Sequence, residues 1–241
     1  MTRRRFIADE VSGDRAALVG EHADHLVRVL RARVGQEFNV ATGEVVRRGR
    51  ITFVSIEDKR VEFDLGEDVS SAGLAEITLV LAVFKFDRME WAIEKCTELG
   101  VSRIVPVIAR RTDSHLGAAS LKRVERWQRI ARQAAEQSRR AGPPEIAAPI
   151  KVAEVLNFPG ASRIVLAESE ERTLLRDVVK PDAANPGVAL AVGPEGGWTE
   201  GELQSFQLAG WTSVSLGATI LRAETAAMAA TAIVASALYL A

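Results

Sequence analysis

Cysteine is nearly absent from this chain: Cys96 is the only one in 241 residues. That excludes an intramolecular disulfide framework and fits a reducing compartment, so a cytoplasmic protein is expected. Charge of one sign is lacking as well. Lys and Arg number 31 against 32 Asp and Glu, a net charge of −1, so any nucleic-acid surface must be a local patch. No apolar run is long enough to span a bilayer. The stretch 226–241 is apolar but short and rich in alanine, which suits a buried terminal helix. The start, Met1-Thr2-Arg3-Arg4-Arg5-Phe6, carries charge with no apolar run behind it, so no signal peptide is expected. Neither a GxGxxG fingerprint nor a Gly-Lys-Ser/Thr loop occurs, which disfavours a nucleotide-dependent enzyme of doubly wound type. Internal repeats and low-complexity segments are missing too.

Two regions can be told apart in what remains. Hydrophobic residues make up 47% of the chain, enough for a sizeable core in one large or two small domains. Residues 1–70 read as mostly β, with short alternating segments at 36–42, 45–54 and 60–65, a turn at Thr42-Gly43-Glu44 and one helix from Glu21 to Arg31. A small closed β-barrel suits this pattern. Asp68 to Ala75 is short, small and polar, as a linker should be. In the region 74–241 the rhythm changes. Glu76–Phe84 is a near-continuous apolar run, expected of a strand covered on both faces. Arg88–Leu99 has helical spacing, Ile104–Ile108 is the next strand, and a long helix covers roughly Leu121 to Arg140. Strands at 162–167, 188–192 and 213–216 alternate with helices, so an α/β fold with a mainly parallel sheet is expected.

Two strand-end loops carry the chemistry. Val192-Gly193-Pro194-Glu195-Gly196-Gly197-Trp198 follows one apolar strand, and Leu216-Gly217-Ala218-Thr219-Ile220-Leu221-Arg222-Ala223-Glu224-Thr225 follows the next. In an α/β sheet such loops form the crevice where ligands bind. Pro194 fixes one φ angle, while Gly196 and Gly197 let the backbone pass close to a ligand. A tight turn chosen for geometry alone is the alternative. Thr199 with Glu202 has the spacing of a capping box. Arg222 and Glu224 open an otherwise apolar helix; Glu224 suits a positive helix start, whereas Arg222 is misplaced there and calls for another reason.

The 121–140 helix holds Lys122, Arg123, Arg126, Arg129, Arg132, Arg139 and Arg140 against Glu125 and Glu136 only. A solvated face is the default for such a run. Arginine in excess of lysine suits bidentate phosphate contacts, and Arg3, Arg4, Arg5, Arg47, Arg48 and Arg50 extend it to a split RNA footprint. His22 and His25 lie on one helix face without a third ligand of sensible spacing, so no metal is expected. Cys96 falls on the apolar face of its helix and reads as core. On these residues alone, a non-enzymatic RNA-binding protein stays open beside an enzyme.

The ordered set His25–Arg31, Lys85 with Arg88–Lys95, Glu98–Val101, Glu136–Arg139, Gly193–Gly197 and Leu221–Thr225 resembles the RsmE family of bacterial 16S ribosomal RNA methyltransferases, of the SPOUT class. The resemblance runs over nearly the whole chain. It implies an N-terminal PUA-like RNA-binding barrel (1–70) and a C-terminal SPOUT domain (74–241) tied in a deep trefoil knot, a homodimer, and no membrane or metal. The implied reaction moves a methyl group from S-adenosylmethionine to N3 of a uridine in 16S rRNA, free or in the assembled 30S subunit. Leu166, Gly193, Pro194, Gly196, Gly197, Leu216, Gly217, Leu221 and Thr225 would then surround the cofactor. Arg222, with Arg139 as second candidate, would stabilise the uracil anion. Glu195 would act as base or bind the cofactor's ammonium group. Arg3, Arg4, Arg28, Arg31, Lys85, Lys122, Arg126, Gln137 and Arg140 would meet RNA. Ala218 departs from the proline that many relatives carry, so that turn differs.

Overall fold

The structure, a computed structural model, describes residues 5–43, 45–69, 76–158, 162–179 and 187–239. Two units emerge from the chain's own contacts. One holds the described residues up to Val69 together with 135–143; the other holds 76–134 and 144 onward.

The first unit is a mixed sheet, antiparallel except for the parallel ladder between its first and fourth strands. Its strands are β1 (Arg5–Ile7), β2 (Glu10–Ser12), β3 (Arg15–Val19), β4 (Glu37–Ala41), β5 (Val46–Ser55) and β6 (Arg60–Val69), with a short helix α1 (Glu21–Asp24) continued by a π-helical turn at His25–Val29. Period-two patterning decides which face is inside: Val61, Phe63 and Leu65 of β6 are buried beside Val40 and Ile51, while Asp64 between them faces water. A register shift at Gly49 bends β5, and a Cβ there would collide with Val40 and Phe63, so glycine is required. The expected turn at 42–44 includes Glu44, outside the described residues; beside it the Thr42 N–H donates to the Val45 carbonyl at 2.9 Å. The expected linker lies mostly in the undescribed 70–75, and Asp68 and Val69 finish β6.

A closed barrel, expected from the sequence, is not what the strand ladders give. Their order is β1-β4-β5-β6-β3-β2, open at both ends. The cause is a change of partner at Ala8-Asp9. Ala8 N–H donates to Ala41 of β4, whereas Asp9 N–H donates to Ala17 of β3, and the Asp9 carboxylate accepts the Val19 N–H. Two short edge strands therefore stand where one continuous strand would close the sheet. Ala135 packs with Ile7, Ala41 and Val46, which is why 135–143 groups with this unit.

The second unit is a parallel α/β sheet. Its elements are β7 (Ile77–Ala82), α2 (Phe86–Glu98), β8 (Arg103–Ile108), α3 (Ser114–Ala119), α4 (Val124–Gln137), β9 (Glu145–Ile146), β10 (Ile150–Lys151), α5 (Val152–Val155), β11 (Ser162–Leu166), α6 (Leu175–Val178), β12 (Val188–Val192), α7 (Glu200–Leu208), β13 (Thr212–Val214) and α8 (Ala223–Tyr239). The strand order is β10-β8-β7-β12-β11-β13, with β9 beside β8, and every ladder among the described residues is parallel. Alternation explains the apolar runs. Leu79 and Leu81 of β7 and Leu190 of β12 pack under Met89 and Ile93 of α2 and Ala227 and Val234 of α8. Val80, Ala82, Ala189 and Ala191 point the other way, toward Phe206 and Trp211. Both faces are covered, so both sets must be apolar. The terminal helix is buried along one side as expected, and no helix among the described residues is long and apolar enough to cross a membrane. The basic helix is shorter than expected: α4 stops at Gln137, and Arg139 takes φ +59°.

Candidate functional site

Parallel strands send all their carboxyl ends to one edge, and the loops after β11, β12 and β13 meet there around a cavity of about 740 Å³. That size falls within the range of small-molecule sites.

The β12 loop is shaped by its glycines. Gly197, at φ +68°, donates its N–H to the Pro194 carbonyl at 2.8 Å. A Cβ on Gly193 would lie 3.2–3.3 Å from three atoms of the Trp198 indole. That ring is held in turn by Phe206, itself against Trp211, each pair edge-on with centroids 5.1 Å apart. Trp198 lines the cavity, and its Nε1 is buried with no acceptor among the described residues. Arg111, following β8, braces the loop by donating to the carbonyls of Gly196 and Trp198. The capping box forms as expected: the Glu202 N–H donates to Thr199 Oγ1, and the Thr199 N–H donates to Glu202 Oε2 at 2.8 Å.

The β13 loop is clamped at its root and open beyond it. Ser215 donates its N–H to Thr173 at 2.9 Å and accepts from Leu175 at 3.0 Å. Residues 217–221 then line the cavity, and their backbone groups make no hydrogen bond among the described residues. Such groups are available to a ligand. The Arg222 carbonyl accepts the Ala226 N–H and starts α8; its guanidinium is exposed, with no ion pair among the described residues. Glu224, in the first turn of that helix, is buried.

The third wall, after β11, is acidic. Glu168, Glu170 and Glu171 all line the cavity. Backbone N–H groups of Thr173 and Arg172 donate to the Glu170 carboxylate and hold it below the usual carboxylate range. Glu168 comes close to the bare Cα of Gly197, whose Cβ would stand 3.6 Å from its carboxylate.

Comparison with known proteins gives this cavity a setting. A model of the RNA methyltransferase domain matches residues 72–235. The ribosomal RNA small subunit methyltransferase E of Aquifex aeolicus is 32% identical over 232 residues, covering 92% of this chain and 94% of that protein. This chain belongs to the RsmE family of RNA methyltransferases. The Synechocystis member is 35% identical over 84% of this chain and 66% of its own length. Among solved structures, the Neisseria gonorrhoeae RsmE-family enzyme, crystallised with S-adenosylmethionine, superposes with a TM-score of 0.82 at 30% identity over 98% of each chain. A putative methyltransferase from Legionella pneumophila, solved with the same cofactor, gives 0.83 at 28% identity over 98% of each chain.

Seen as an RsmE-family site, the residues singled out in the sequence separate into groups. Leu166, Gly193, Pro194, Glu195, Gly197, Leu216, Gly217 and Leu221 line the cavity; Gly196, Arg222 and Thr225 do not. Arg139 lies in the first unit. Sequence reasoning missed Arg111, Glu168 and Trp198 as lining residues. A hint existed for the second: Ala167-Glu168-Ser169-Glu170-Glu171 leaves an apolar strand just as the two glycine loops do.

The RsmE-family basic residues are more occupied than the sequence suggests. Arg3 and Arg4 lie outside the described residues. Arg28 donates to Asp24 at 2.6 Å, and Arg126 forks onto both oxygens of Glu90 at 2.7 and 2.8 Å. Arg47, Arg48 and Arg50 pair with Asp14, Glu67 and Glu37. Arg140 is buried. Arg31, Lys85, Lys122 and Gln137 are exposed. Arg5 sits close enough to Arg139 that burial and this like charge lower its pKa. His22 lies between Asp9 at 3.3 Å and Glu136 at 3.8 Å, and no group of His, Cys, Asp and Glu arranged to hold a metal is found among the described residues.

Proposed function

We propose that this chain methylates N3 of a uridine in 16S rRNA of the small ribosomal subunit, with S-adenosylmethionine as donor. The observation that carries the reading is the cavity at the carboxyl edge of the parallel sheet, walled by three loops with uncommitted backbone and polar groups, in a member of the RsmE family. The residues present fit that cofactor. The Gly217–Leu221 backbone offers donors and acceptors for a base, the orphaned Trp198 Nε1 is a donor in need of an acceptor, and the carboxylates of Glu168, Glu171 and Glu195 complement cationic groups. When bound, S-adenosylmethionine supplies a methyl group on a positively charged sulfur.

The chain's task is to place the uracil and remove a proton. Uridine N3 is a poor nucleophile until its proton leaves; the N3–carbon bond then forms as the carbon–sulfur bond breaks. Gly193, Pro194, Gly197, Leu166, Leu216, Gly217 and Leu221 hold the donor, with Gly196 and Thr225 supporting the loops behind them, and positioning of this kind supplies roughly 7–11 kcal/mol. Arg222 stabilises the charge that develops on the uracil oxygens. Its exposed guanidinium, without an ion pair among the described residues, is available for that role. Arg139 is the second guanidinium we assign to the RNA. Among the described residues Glu195 is bonded through Oε1, which leaves Oε2 to accept either the proton or an ammonium N–H.

The rest of the reading concerns architecture. The first unit serves as a PUA-like RNA-binding domain, with Arg3, Arg4, Arg28, Arg31, Gln137 and Arg140; on the second unit, Lys85, Lys122 and Arg126 are assigned to RNA. A trefoil knot is supported by the β13 loop, which is gripped at Ser215 by the loop after β11 before it reaches α8. A cytoplasmic homodimer acting on rRNA or on the 30S subunit completes the proposal. It is tested by offering purified protein labelled S-adenosylmethionine and 30S subunits from a strain lacking the modification. Label on 16S rRNA supports it, whereas salt-dependent RNA binding without any cofactor binding would establish a non-enzymatic RNA-binding protein instead.

A further inference from the structure

Arg88 stands where a cation is electrostatically misplaced, in the first turn of α2, whose N-terminus favours anions. Two carboxylates account for it. Its Nη1 donates to Glu195 Oε1 at 2.7 Å, and its Nε lies 3.8 Å from Glu224 Oε1. These partners differ. The Glu224 side chain is 4% exposed, in the first turn of α8, and its Oε2 has no hydrogen-bond partner among the described residues. Glu195 is 37% exposed and lines the cavity. The guanidinium therefore reaches from a fixed, buried anion to a half-exposed one at the site.

Stability alone does not explain the outer contact. Ion pairs at that exposure contribute little, because water screens them and ordering both side chains opposes them. What the contact does achieve is orientation: one oxygen of this cavity-lining carboxylate is engaged by Arg88.

We infer that Arg88 is the positioning residue of Glu195, its guanidinium seated on the buried Glu224 carboxylate and holding the Glu195 side chain at the cavity. The inference rests on the methyltransferase reading and deepens it. Arg88 acts through Glu195, so its removal has no effect of its own once Glu195 is gone.

The test is a double-variant cycle on the full chain: Arg88→Met, Glu195→Gln and the pair, with Arg88→Lys as the conservative variant. Thermal unfolding is recorded beside kcat and KM for S-adenosylmethionine, with 30S subunits from a strain lacking the modification as acceptor. Arg88→Met should lower kcat/KM by about tenfold, equivalent to roughly 1.4 kcal/mol. The double variant should be no worse than Glu195→Gln by more than about twofold, and Arg88→Lys should recover part of the loss. If Arg88→Met fails to fold, Arg88→Lys and Glu224→Gln carry the same cycle. Losses that multiply, or a folded Arg88→Met with wild-type kcat/KM, overturn the inference while leaving the methyltransferase reading intact. A wild-type protein without turnover overturns both.

Discussion

Three glycines near the cavity should respond to alanine in three different ways, because the structure places a different obstacle at each. At Gly193 the added methyl would sit 3.2–3.3 Å from the Trp198 ring, tighter than ordinary contact. The ring cannot retreat, since Phe206 lies edge-on against it and Trp211 against Phe206. Overpacking of this kind costs about 1–3 kcal/mol, and the way out for the ring is into the cavity it lines. At Gly197 the methyl would have room, its nearest neighbour being 3.6 Å away, but φ is +68°; the left-handed backbone then costs roughly 1–2 kcal/mol. At Gly201, inside α7, the methyl meets nothing within 4 Å, and alanine should stabilise by about 0.5–1 kcal/mol. For a protein of this size each kcal/mol moves Tm by about 2–4 °C. Gly193→Ala is therefore expected to melt roughly 2–12 °C lower and Gly201→Ala slightly higher. Titration calorimetry should show weakened S-adenosylmethionine binding by Gly193→Ala and unchanged binding by Gly201→Ala. A Gly193→Ala protein as stable as Gly201→Ala, with wild-type cofactor affinity, would refute the packing argument.

Other outcomes follow from single groups. Arg222→Ala should unfold within about 0.5 kcal/mol of wild type, as an exposed side chain should, while single-turnover methylation is lost; full turnover would remove Arg222 from its assigned role. Lys122→Ala should weaken RNA binding and reduce the salt slope by about one, with cofactor affinity unchanged by calorimetry. Burial pushes the Cys96 thiol from its ordinary 9.0 up to about 12, so a thiol reagent at pH 8 should modify the unfolded chain and leave the native one untouched. Because that pKa is raised on folding, its stabilising contribution is complete below pH 9 and declines above it. Glu170 has the opposite sign. Its pKa is lowered from 4.5 on folding, so its contribution is present above that value and lost as pH falls through the lower folded one; Glu170→Gln should flatten the acid limb of urea midpoints between pH 3 and 5.

The legible parts of this molecule were those that periodicity or backbone chemistry writes locally. Glu76–Phe84 announced a strand buried on both faces, and the glycines of Gly193–Trp198 pointed to a strand-end loop that lines the cavity. The acidic wall after β11 was hidden for a physical reason. Its residues look like any solvated loop, and only the order β12-β11-β13, which sets β11 between the two glycine-loop strands, brings them to the cavity. Arg111 was hidden likewise, since it reaches the Gly196 and Trp198 carbonyls from the far side of a strand order no sequence window contains. Alternation revealed β4, β5 and β6 of the first unit but not the short β1, β2 and β3, nor whether the sheet closes, which depends on the partner switch at Ala8-Asp9. Charge counting overstated the basic surface, because Arg47, Arg48, Arg50 and Arg126 find their acids only in three dimensions.

The central claim is tested most directly by the site of methylation itself. Small subunits from a strain lacking the modification are incubated with the full chain and S-adenosylmethionine, and the 16S rRNA is digested and mapped by mass spectrometry. The account predicts one added methyl group, on N3 of a single uridine, dependent on Arg222. Cofactor binding with no methylated uridine, or a methyl group on a different atom, would contradict it.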